Sequence, residues 1–148
     1  SMEEDKISRM KQKFDEVIKH TKGRGLYDIT SEIIHWVANQ EIQDGLLTLL
    51  IQHTSASLLL NENYDSDVQI DLENFFSRLV KDGDILFTHT IEGDDDMPAH
   101  IRTALTQINI SVPVKNKKLL LGQWQGIYIF EHRYDEFNRK VNIHLIGE

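Results

Sequence analysis

The feature that most limits how this chain can fold is the close succession of strand-like segments in its C-terminal part. Apolar alternation recurs near residues 108–113, 118–121, 126–132 and 140–146, with only short connections between them. A parallel pair needs a long crossover, usually a helix, so connections this short admit antiparallel neighbours only. Helical patterns lie earlier. Thr30 can cap a helix whose face carries Ile33, Ile34 and Val37, and Asp65 or Ser66 can cap another with Val68, Leu72, Phe75, Phe76 and Leu79 in one stripe. Pro98 suits a first helical turn and opens a third helix over 98–107. Strand patterns occupy 46–53, 56–60 and the short "ILFTH" at 85–89. Ile7, Met10, Phe14 and Val17 also fall at helical spacing over 7–18. The sum is an α+β fold: a compact single domain whose mainly antiparallel, β-sandwich-like sheet carries about three helices.

With 148 residues, two prolines and neither repeat nor linker, one domain over 11–148 accounts for the chain. Residues 1–10 are polar and expected to be disordered or tag-derived, Ser1-Met2 having the look of an expression scar. The absence of cysteine excludes disulfides, thiolate nucleophiles and cysteine zinc sites, and it suits a reducing, cytoplasmic setting. A net charge of −8 argues against nucleic acid, because the basic clusters "KGR" and "KNKK" are small beside the overall field. The apolar runs are too short to cross a bilayer, so no membrane partner is expected.

Three places carry groups capable of chemistry. His53 ends an apolar strand row, where a histidine bonded to backbone is the ordinary reading. Ser55 and Ser57 beside it lack the G-x-S-x-G elbow of a serine nucleophile. His100 falls in the first turn of a helix, just after Asp94, Asp95 and Asp96, more acid than a cap requires. In "LGQWQGIYIFEHR", Gly122 and Gly126 bracket Trp124, and Glu131 is an acid on an apolar face that needs a partner if buried. Arg133 beside His132 can meet phosphate or pair with a nearby acid. His20, His35, His89 and His144 have plainer settings and read as structural or exposed.

The segments "HTSASLLLNENYD", "HTIEGDDDMPAHI", "SVPV" and "LLLGQWQGIYIFEHR" stand in an order and spacing that resembles the YjbQ-like family, also described as secondary thiamine-phosphate synthases. The resemblance runs from about Gly25 to Gly147. It implies a compact α+β domain with a sandwich-like core, assembly as a homotrimer, and a first strand over 13–20 in place of the local helical pattern. It further implies that His53, His100 and His132 converge on one site. Such a site would hold a divalent metal, zinc or magnesium, or a phosphate if the imidazoles are protonated. Glu62 and Arg133 would join the histidines as catalytic groups. Asn61, Asn63, Asp65, Asp95, Asp96, Trp124 and Gln125 would form the substrate-binding wall. One departure stands out: Gln123 occupies a position where threonine is usual in the family.

The function implied is a transferase joining a pyrimidine diphosphate to a thiazole phosphate, with a small phosphorylated metabolite as partner. Two alternatives accompany it. One is a metal-dependent hydrolase of a phosphorylated or ester substrate, the other a non-enzymatic trimeric protein that binds a metabolite or ion. All three require the imidazoles of His53, His100 and His132 to approach one point.

Overall fold

The long C-terminal strand sets the frame of the protein, whose computed structural model describes residues 9–148. For residues 1–8, the expected disordered or tag-derived stretch lies outside the described residues. Strand β8 (Glu136–Gly147) turns Arg139, Val141, Ile143 and Leu145 inward at every second position. Strand β1 (Lys11–Lys22) pairs with it antiparallel from Lys11↔Gly147 to Lys22↔Glu136. On its other edge lies β3 (Gly45–Ile51), followed by β5 (Asn109–Lys115) and β6 (Lys118–Leu119), so the large sheet runs β1-β8-β3-β5-β6. A second sheet has the order β2 (Gly25–Asp28), β7 (Gln125–Glu131), β4 (Ala56–Glu62), again antiparallel.

The two sheets face each other. Ile127 and Ile129 of β7 and Leu58 of β4 pack in one core with Leu47, Leu49, Ile143 and Leu145 of the large sheet. Each such side chain contributes about 1.5–3 kcal/mol on full burial. Helix α1 (Thr30–Ala38) adds Ile33 and Val37 to that core. On the opposite face of β7, Phe130 meets Phe76 of α2 (Ser66–Leu79) edge to face, 5.6 Å between centroids. Helix α3 (Asp96–Leu105) lies against β4 on the same side. β7 is therefore buried on both faces, which explains why its sequence is nearly continuously apolar. The expected fold class, α+β with antiparallel sheets, is the one found, with three helices among the described residues.

Several local expectations change. Residues 11–22 form a strand despite the helical spacing over 7–18, because pairing along the whole of β8 outweighs a weak local period. Residues 85–89 form turns and not the expected strand; the N–H groups of Leu86 and Phe87 close locally on Asp84. Of the α2 stripe only Phe76 is buried, with Phe75 and Leu79 exposed. Thr30 begins α1 instead of capping it, and its hydroxyl donates to Asp28 and accepts the Ile127 N–H. Among the described residues, no helix is long and apolar enough to cross a membrane.

One ionic contact crosses the apolar core. Glu131, fully buried at the end of β7, receives Arg139 of β8 in a two-pronged bond, Nε to Oε1 at 2.7 Å and Nη2 to Oε2 at 2.6 Å. Thr21 of β1 donates its hydroxyl to the same carboxylate, and Arg139 Nη2 also reaches Ser55 Oγ. Every partner is satisfied, the condition under which a buried pair holds a structure together instead of weakening it. Glu131→Leu leaves the Arg139 charge buried and unpaired, so it is expected to destabilise the fold by about 3–5 kcal/mol. The double variant Glu131→Leu/Arg139→Met should recover most of that loss. Chemical denaturation of the three proteins measures both, and equal midpoints for the single and double variants would contradict the assignment.

Candidate functional site

Between α2 and α3 the chain makes a tight excursion. Gly83 N–H donates to Asp94 O and closes its base, and Gly93, at φ 106°, adopts a conformation that L side chains rarely take. The excursion brings His89 back over the first turn of α3, where Asp96 opens the helix and His100 follows one turn later. Nε2 of His89 and Nε2 of His100 lie 2.6 and 3.0 Å from the same atom, Asp96 Oδ2. The three donor atoms are all within 4.8 Å of one another. Asp96 is buried, while both imidazoles are partly open to solvent.

Two of the three groups are fixed from behind. His100 Nδ1 lies 2.7 Å from the Thr54 carbonyl. A carbonyl only accepts, so Nδ1 carries the proton and Nε2 is the nitrogen left to face Asp96. Arg133 donates through Nη1 to Asp96 Oδ1 at 2.7 Å, through Nε to Asp95 Oδ2 and through Nη2 to Glu92 O. Burial pushes the Asp96 carboxyl up, but the His89 hydrogen bond and the charges of His100 and Arg133 outweigh it and hold the group below its ordinary value. Asp95 is likewise held down: burial is opposed by Arg133 and the Tyr134 N–H.

The other expected residues fall elsewhere. His53 is near His100 but turned away from it, since its Nε2 accepts the Lys140 N–H at 2.8 Å and its Nδ1 lies 3.3 Å from Arg139 Nη1. Burial and then the Arg139 charge hold its pKa below the ordinary value. His132 is sealed inside, with its ring against Phe130 and its Nε2 2.8 Å from Ser57 Oγ. The expected convergence of His53, His100 and His132 is thus corrected: a segment buried on both faces directs His132 into packing, and a peptide N–H occupies His53. Asn61, Glu62, Asn63, Asp65, Trp124 and Gln125 gather at the far end of the β4–β7 pair. There Glu62 accepts the Tyr64 and Asp65 N–H groups, and Trp124 meets Tyr64 at 5.2 Å. With Ala56↔Glu131 at one end and Glu62↔Gln125 at the other, the strand rise separates the two clusters by about 20 Å. His89, read from the sequence as structural, takes the third position. Its signal was the symmetry of "HTIEGDDDMPAH", two histidines flanking an acidic turn.

A family model described as "UPF0047 protein YjbQ-like" matches residues 15–148. A UPF0047 protein of Synechocystis is 44% identical over 128 residues, covering 86% of this chain and 87% of that one. The UPF0047 protein YjbQ of Escherichia coli is 43% identical over 128 residues, covering 86% and 92%. Among solved structures, a protein of unknown function from Sulfolobus solfataricus superposes with a TM-score of 0.85 at 23% identity, covering 95% and 100%. An uncharacterised family protein from Clostridium acetobutylicum does so at 0.76 and 27%, covering 90% and 98%. These matches belong to a family of unknown function, and they overturn the expected thiamine-phosphate synthase. The hydrolase alternative loses its three-histidine site as well, since His53 and His132 turn their nitrogens to other partners.

The two displaced histidines have a consequence for stability. Burial, then the charges of Arg102, Arg24 and Arg139, lower the pKa of His132 from 6.5 to about 3. The folded protein therefore leaves His132 neutral in mild acid, where the unfolded chain protonates it, and His53 acts in the same direction. Stability is complete above about pH 6.5 and falls as pH drops from there toward 3. At pH 5 His132 alone removes about 2 kcal/mol. The Asp95 and Asp96 contributions, present above the ordinary carboxylate pKa of 3.8, are lost only at lower pH. Denaturation midpoints compared near neutrality and near pH 5 should fall for the native protein and fall less for His132→Leu; parallel losses would contradict the burial of a neutral imidazole.

Proposed function

The chain belongs to the YjbQ-like UPF0047 family, and from that premise we propose that its functional centre is a divalent transition-metal site on His89, Asp96 and His100. The observation that carries the reading is the Thr54 carbonyl on His100 Nδ1. With Nδ1 committed there, Nε2 is the nitrogen turned to the Asp96 carboxylate, 3.0 Å from its Oδ2. A proton or a metal ion can stand between the two atoms, and a metal ion that binds there takes the proton's place. A backbone carbonyl behind one ligand and Arg133 behind another form the outer support that metal-binding imidazoles and carboxylates usually have.

The donor set favours one of the two metals expected from the sequence. Two imidazoles and one carboxylate suit zinc or a neighbouring transition metal, whereas magnesium prefers oxygen donors throughout. Three protein ligands leave coordination positions open. An ion bound there supplies Lewis acidity to an oxygen or nitrogen donor of a ligand. Asp96 stays ionised and oriented through Arg133, and Thr54 keeps His100 from rotating.

Zinc-loaded protein after exhaustive dialysis should retain about one equivalent by elemental analysis. Asp96→Asn and His100→Ala should lose it, while His53→Ala keeps it. Arg133→Ala should weaken affinity about 10–100-fold without removing the site. Retention of zinc by Asp96→Asn, or its loss from His53→Ala, would rule this centre out.

A further inference from the structure

We propose that the cavity beside His100 receives the uncharged organic body of a ligand whose donor atom reaches the metal centre, a reading that rests on the centre proposed above. A cavity of about 410 Å³ opens against His53, Thr54, His100, Thr103, Thr106 and Ile108, with Ala104 at its rim. That volume lies in the range of small-molecule sites. Of the three proposed ligands His100 alone lines the cavity, and Thr103 and Ala104 follow His100 by one turn on α3. A turn advances about 5 Å, so a ligand lying in the cavity is in reach of the His100 ring, through which it meets the centre.

The lining specifies the chemistry. Among the described residues it contains neither lysine, arginine, aspartate nor glutamate. His53 is the one titratable group there besides His100, and the peptide N–H of Lys140 on its Nε2 favours the neutral ring. Arg139, behind His53, is spent on Glu131. A phosphoryl group would therefore find no cationic side chain on these walls, although such groups normally draw arginine or lysine. Threonine hydroxyls, threonine methyls, Ala104 and Ile108 instead offer a mixed surface that fits an uncharged ring or short chain. On the His89 side the space is only about 150 Å³ and carries Asp84 and Asp94, which repel an anionic ligand. The ligand class is thus a neutral organic molecule bearing one Lewis-basic atom, in place of the phosphorylated metabolite expected from the sequence.

The test uses cobalt(II)-loaded full-length protein, its visible absorption titrated with imidazole, 4-phenylimidazole and inorganic phosphate where both azoles are neutral. 4-Phenylimidazole should bind about tenfold more tightly than imidazole because its ring enters the cavity. Phosphate should bind more weakly than either. Ala104→Phe, and the milder Ala104→Leu, should abolish the phenyl advantage by filling the rim while leaving the cobalt spectrum and imidazole affinity in place. Equal affinity for the two azoles, an advantage that survives both rim variants, or tighter phosphate binding overturns the ligand class with the metal centre intact. A protein that takes up no cobalt overturns the metal centre, and this inference with it.

Discussion

Arg139 of the large sheet and Glu131 of the small one meet inside the core, and the positions of the groups at the candidate centre descend from that contact. The carboxylate of Glu131 takes the guanidinium with both oxygens and then accepts the N–H groups of His132 and Arg133 on Oε2. Those bonds fix the chain as it leaves β7. Arg133 leaves in the direction that lets it reach Asp95, Asp96 and the Glu92 carbonyl. A charge pair inside the core thus determines, through one backbone segment, where a loop carboxylate stands. The sequence separation is wide, but each step is a hydrogen bond between neighbours.

A division of labour among imidazoles follows. Seven histidines occur in the chain, and the environment of each ring decides what it can do. His132 fills space and satisfies Ser57, whose hydroxyl in turn accepts from Thr106. His53 accepts a peptide N–H and lies against a guanidinium, so it cannot also present Nε2 to an ion. His100 spends Nδ1 on a carbonyl, which leaves Nε2 to face Asp96. Identical side chains on neighbouring strands and helices therefore differ in function through their hydrogen-bond partners, not through their distance from a pocket.

Much of the fold was legible because it rests on short-range signals. Closely spaced strands in the C-terminal part forced antiparallel pairing, and apolar periodicity located α2 and α3 to within a few residues. β1 was not legible locally, since its partner lies at the other end of the chain and its own residues are mostly exposed. The candidate centre divides in the same way. His100, Asp96 and Arg133 stood out through acid density and motif, whereas His89 did not, because its role arises from a turn with Gly93 at positive φ. His132 misled for the opposite reason: a strand covered on both faces gives no sequence sign of which side is the surface.

The pairing of β1 with β8 also dictates an order of assembly. Its nearest pairing in sequence joins Lys22 to Glu136, so β1 has no partner in the large sheet until the final strand has been synthesised. During translation β1 emerges early and waits, carrying Phe14 and Ile18 on a strand with both edges open. Pairings this distant close slowly, because the loop entropy is lost before the contacts form. Lys11, Lys13, Lys19 and Lys22, spaced along that strand, keep it charged over the interval when another chain could pair with it.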